Sequence, residues 1–67
     1  MRHTVREEQL VELLLQGLSN REIGARMGIQ ERTVKAYLHR LYIKHGISEM
    51  NRIKRIVLAV KLYEGRR

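Results

Sequence analysis

Apolar residues recur along the chain at helical rather than strand spacing, and no stretch alternates apolar and polar positions at period two for long enough to form a strand. The pattern predicts four helices and an all-α fold. The first opens on Thr4-Val5-Arg6-Glu7, a T-x-x-E capping box, and runs through Leu10, Leu13 and Leu14 to Gly17. The second repeats the device as Ser19-Asn20-Arg21-Glu22, buries Ile23 and Met27, and stops after two turns at Gly28. A Gly-Ile-Gln turn over 28–30 leads into a third helix of about 31–45, closed by Gly46, and a fourth is expected from about Asn51 to Tyr63.

Two short helices joined by a tight glycine-bearing turn, the second of them basic, form the pattern of a helix-turn-helix. At about 100° per residue, Val34, Leu38, Leu41 and His45 of the third helix share one face, while Arg32, Lys35, Ala36 and His39 lie on the other. One face packs and the other is free. B-DNA's major groove admits an α-helix, and a small residue such as Ala36 between longer donors lets the backbone approach the base edges. The competing reading, an ordinary amphipathic surface helix, accounts for the stripe but not for the order of capped helix, turn and cationic helix.

Charge sharpens this picture. The 67 residues carry a net charge of +7, which favours an anionic partner such as nucleic acid. Residues 1–29 hold four Arg against four Glu, whereas residues 30–67 hold ten Lys or Arg against three acids, so the excess follows the helix a helix-turn-helix would insert. The length allows one small domain, taken as 1–67. The chain has no Cys, so disulfides and thiolate metal sites are excluded, which fits the reducing cytoplasm. No apolar run approaches the roughly 18 residues of a membrane-spanning helix.

The same residues resemble the DNA-binding domain of LuxR/FixJ-type transcription regulators from Thr4 to about Ala59. Thr4-Val5-Arg6-Glu7 stands against the family's T-P-R-E, Gly17-Leu18-Ser19-Asn20-Arg21-Glu22-Ile23 against G-L-S-N-K-E-I, and Thr33-Val34-Lys35 against T-V-K; Lys44, Gly46 and Ile47 fit its K-L-G-V end. The resemblance implies a four-helix domain in which helices 2 and 3 form the helix-turn-helix and helix 4 supports it and mediates dimerisation. By position it implies base contacts at Lys35, Ala36 and His39. It places phosphate contacts at or beside Asn20, Arg21, Gln30, Arg32, Thr33, Arg40 and Lys44. The implied function is sequence-specific binding of double-stranded DNA in transcription regulation, as the output domain of a response regulator that usually carries a receiver or sensing domain ahead of it. The alternative is a protein-interaction module that docks on RNA polymerase, as sigma-like helix-turn-helix units do. Departures from the family occur at His3, Tyr37, Ile43 and His45, where Leu, His, a polar or basic residue and Leu are usual, and in the segment after Ile47.

Neither an enzyme nor a cofactor or small-molecule site is expected. His39 and His45 fall on different faces of one helix and His3 is remote in sequence, so zinc spacing is not met. Ser19 and Ser48 read as helix N-caps, with no nucleophile elbow, and the glycines stand singly at helix ends rather than in a phosphate loop. A membrane-surface role is disfavoured because the chain has three Tyr but neither Trp nor Phe.

In helix 4, Ile53, Ile56, Val57 and Val60 are expected to close the core, leaving Leu58 and Leu62 on the outside beside Arg55 and Ala59. That pair is the expected dimerisation patch. Two copies related by a two-fold axis would set their recognition helices about 34 Å apart, with the homodimer completed on DNA.

Overall fold

The computed structural model describes residues 3–65. Both capping boxes form. Thr4 Oγ1 accepts from Glu7 N–H at 3.1 Å while Thr4 N–H donates to Glu7 Oε1 at 2.8 Å, and Ser19 and Glu22 exchange the same pair of bonds at 3.2 and 2.9 Å. They start helices α1 (Val5–Leu15) and α2 (Asn20–Met27) where the sequence places them. Helix α3 spans Glu31–Lys44 and helix α4 spans Lys54–Gly65. The described residues contain no strand.

The α2–α3 turn depends on two glycines. Gly28 ends α2 with φ +70°, a left-handed conformation that costs residues with a Cβ about 1 kcal/mol. Its turn lets Ile29 N–H donate back to Gly24 O at 2.9 Å. Gly24 lies inside α2 rather than at a helix end, contrary to the expectation for the glycines, because a Cβ there would stand 2.7 Å from Ile29 O. A glycine in a helix interior costs roughly 1 kcal/mol relative to Ala. Here that cost is the condition for the turn to close on the helix.

One core holds the helices together: Leu10, Val11 and Leu14 of α1, Ile23 of α2, Val34, Leu38, Leu41 and Tyr42 of α3, Ile47, and Leu58 and Leu62 of α4. The expected stripes of α1 to α3 pack as anticipated, with Leu13, Met27 and His45 half-buried at their margins.

The fourth helix departs from expectation in both start and facing. It begins at Lys54, not near Asn51, because the preceding polar side chains bond their own backbone and hold turns instead. Ser48 Oγ accepts from Met50 N–H at 3.1 Å and Asn51 Oδ1 accepts from Ile53 N–H at 2.9 Å. Ser48 therefore shapes this turn rather than capping a helix.

Leu58 and Leu62, expected outside, are 0% and 4% exposed, whereas Ile53, Ile56 and Val60 are 56%, 62% and 49% exposed. The helix carries two apolar stripes on opposite sides, and its cations decide between them. Arg55 reaches across to donate to Leu18 O at 2.8 Å and to Asn20 Oδ1, and Lys61 donates to His45 O at 3.0 Å. Long cationic side chains can lay their stems along an apolar face and place the charge at its rim. Charges beside Leu58 and Leu62 thus frame the packed face, and these two leucines are unavailable as a dimer patch.

Candidate nucleic-acid interface

The exposed side of α3 carries Arg32, Lys35, Ala36, His39, Arg40 and Ile43, opposite the buried Val34, Leu38, Leu41 and Tyr42. All three expected base-contact residues, Lys35, Ala36 and His39, are therefore exposed together. Lys35 Nζ lies 3.8 Å from Glu31 Oε2 one turn earlier, a loose pair on the surface. The Arg40 guanidinium sits 5.5 Å from the centre of the half-buried Tyr37 ring, which steadies it by a cation–π contact. Ile43 extends the same face with an apolar side chain in the last exposed turn.

Of the residues expected to meet phosphate, Arg21, Gln30 and Arg32 are exposed and Thr33 is half-buried. Gln30 is the N-cap of α3 but makes no side-chain cap bond. Asn20 is half-buried, and its carbonyl oxygen accepts from Arg55, leaving its amide hydrogens as the groups that can donate outward.

Lys44, the last of these, is half-buried. Its ammonium holds both oxygens of the buried Glu7 carboxylate at 2.7 and 2.9 Å, so its charge is already paired within the fold. The cause is the capping box: Glu7 is 2% exposed, and a carboxylate so placed needs a cation to stay charged. Burial pushes the Glu7 carboxyl up, but hydrogen bonds from Lys44 and Thr4 and the Lys44 charge outweigh it and hold the group below the ordinary value.

Three histidine contacts were invisible in the sequence. His39 Nδ1 meets Glu49 Oε1 at 2.5 Å, and Glu49 Oε2 accepts from Lys54 Nζ at 2.9 Å. His3 and His45, 42 residues apart, bring their Nε2 atoms to 3.1 Å, and His3 Nδ1 lies 3.0 Å from Glu8 Oε1. Burial, then the neighbouring His3 and Lys61 charges, push the His45 imidazole below its usual range. Among the described residues no group of three or more His, Asp or Glu side chains is arranged so that it could hold a metal ion.

An all-α unit in which a short capped helix and a tight turn present an exposed cationic helix is a helix-turn-helix module. The profile described as bacterial regulatory proteins, luxR family, matches residues 3–58, and the chain belongs to that family of DNA-binding transcription regulators. The probable transcriptional regulatory protein SgaR of Hyphomicrobium methylovorum is 42% identical over 59 residues, covering 88% of this chain and 27% of that protein. The response regulator Rre1 of Synechocystis is 36% identical over 61 residues, covering 91% and 26%. The DNA-binding transcriptional activator DevR/DosR of Mycobacterium tuberculosis is 40% identical over 63 residues, covering 94% and 28%. The chain thus spans about a quarter of the length of these curated relatives. No solved structure gives a significant match.

Proposed function

We propose that residues 1–67 act as one DNA-reading domain of a cytoplasmic transcription regulator, laying α3 into the major groove of duplex DNA, with binding rather than catalysis as its role. The observation that carries this reading is the exposed Lys35, Ala36 and His39 surface, backed by a packed stripe and flanked by Arg32 and Arg40. Lys35 offers donors and His39 a donor or an acceptor to base edges, and Ala36 leaves room for the backbone to approach. Asn20, Arg21, Gln30, Arg32, Thr33 and Arg40 serve the phosphates on either side; Lys44 is left out because Glu7 holds it. Among the described residues no helix is long and apolar enough to cross a membrane.

The test is titration of the domain onto duplex DNA over a range of salt. Affinity is expected to fall with log[salt] at a slope of roughly −0.9 per phosphate neutralised. No binding at low salt overturns the proposal, and capture of RNA polymerase in place of DNA moves the role to a docking module.

Two copies pair on DNA through the outward stripe of α4, Ile56, Val60 and Tyr63, with Ile53 just before it. A second copy suits this stripe because a two-fold axis sets like against like along one helix. So narrow a contact is weak alone and is completed where two half-sites hold the protomers together. Replacing Ile56 and Val60 together by Glu should abolish cooperative binding to a two-half-site duplex and leave half-site affinity nearly intact.

A further inference from the structure

We infer that Glu49, which lies outside the helix-turn-helix in the turn after α3, is a positioning residue that sets the base preference of the domain by fixing the tautomer and orientation of His39. This rests on the reading of α3 as the groove-facing helix. An ionised carboxylate can only accept, so the 2.5 Å contact from Glu49 Oε1 requires the proton on His39 Nδ1. Glu49 is itself held: Oε2 accepts from Lys54 Nζ at 2.9 Å, and that ammonium stands 5.1 Å from the centre of the Tyr42 ring. The chain of contacts runs from the first turn of α4 through the turn to the middle of α3. The hydrogen bond from Lys54, with that from His39 and the Lys54 charge, outweighs the burial effect and holds the Glu49 carboxyl below its ordinary range, so the acceptor stays ionised.

A neutral imidazole protonated at Nδ1 has a lone pair at Nε2. With one ring edge tied to Glu49, the other nitrogen is left for the groove, as an acceptor. In the major groove an acceptor pairs with an exocyclic amine, the N4 of cytosine or the N6 of adenine, and is repelled by the O6 and N7 of guanine. Release from Glu49 frees the ring to turn and to place its proton on Nε2, a donor suited to guanine or to thymine O4. Glu49 therefore converts an ambiguous reader into one that selects adenine or cytosine at one position of the half-site. The charged groups around it are Lys35 on α3, Arg52 in the turn, and Lys54 and Arg55 on α4.

The test uses the intact chain at pH 8.5, where an imidazole is ordinarily neutral. Nitrogen-15 spectra of the ring should show His39 protonated at Nδ1 in the wild type, Glu49→Ala should shift the proton toward Nε2, and Glu49→Gln, which keeps an acceptor oxygen, should partly restore it. In selection from randomised duplexes, Glu49→Ala should lose roughly tenfold discrimination for adenine or cytosine at a single position. Affinity for non-specific DNA should be equal or higher, because a negative charge is gone. Adding Glu49→Ala to His39→Ala should change the base preference no further. An unchanged His39 tautomer in Glu49→Ala, or the same loss of preference with and without His39, overturns the inference. A wild-type domain that binds no duplex overturns the DNA reading and the base preference with it, while the ring spectra still decide whether Glu49 holds the tautomer.

Discussion

The chain up to Gly46 and the chain after it obey the same packing physics but differ in how far pattern alone determines the outcome. In α1 to α3 each helix has one apolar stripe, and that stripe is buried. Helix α4 has two, and the one that packs, Leu58 and Leu62, is flanked by Lys54, Arg55 and Lys61. Cations next to an apolar pair therefore do not mark an outer face. Arg55 and Lys61 find backbone carbonyl partners, Leu18 O and His45 O, only if the leucines go inward.

The sharpest way to break this comparison is to charge each stripe of α4 in turn. Leu58→Glu buries a carboxylate at a fully enclosed position and should cost about 4 kcal/mol or more, enough to unfold so small a domain, whereas Ile56→Glu should change stability by less than about 0.5 kcal/mol. Chemical denaturation of the two variants checks the inversion directly.

Gly24→Ala tests the first region. The substitution raises helix propensity by about 1 kcal/mol, yet the new methyl must displace Ile29 O, and overpacking of this kind costs about 1–3 kcal/mol. A lowered melting temperature is expected; a raised one would show that the turn can yield.

Lys44→Met leaves the Glu7 carboxylate buried without its cation and should cost about 2 kcal/mol at neutral pH. The pH profile sharpens this. Because Glu7 titrates below its ordinary 4.5 when folded, its contribution is complete above that value and is lost as pH falls through the folded value. The wild type should thus lose part of its stability in mild acid, and Lys44→Met should lose less over the same range.

The smallest effect concerns His45. Its folded value lies below the ordinary 6.5, so the neutral ring's contribution is complete above 6.5 and declines as pH falls below it, toward the folded value. His45→Leu should remove that modest slope without touching the one due to Glu7.

The legible features are local. Capping boxes, the closing glycines and the single stripes of α1 to α3 are relations between residues three or four apart, and the structure places the exposed face of α3 where they put it. What the sequence hid is every partnership across the fold: Glu7 with Lys44, Asn20 with Arg55, His3 with His45, and His39 with Glu49. A helical wheel compares a residue only with its own helix, so Lys44 and Arg55 looked like surface charge. Gly24 was detectable in principle, because a glycine inside a well-capped helix is costly unless another backbone segment comes close.

The Glu7 carboxylate belongs to two structures at once, accepting from Thr4 N–H at the start of α1 and from Lys44 in the last turn of α3. Helix ends ordinarily fray first and independently. Here fraying at the entry of α1 strips Lys44 of its partner, and loosening of the exit of α3 strips the capping box of its counter-charge. The two ends open as one event, so amide hydrogen exchange in the first turn of α1 and the last turn of α3 should proceed at a common rate, and the stiffness of the DNA-facing helix is in part a property of the chain 37 residues before it.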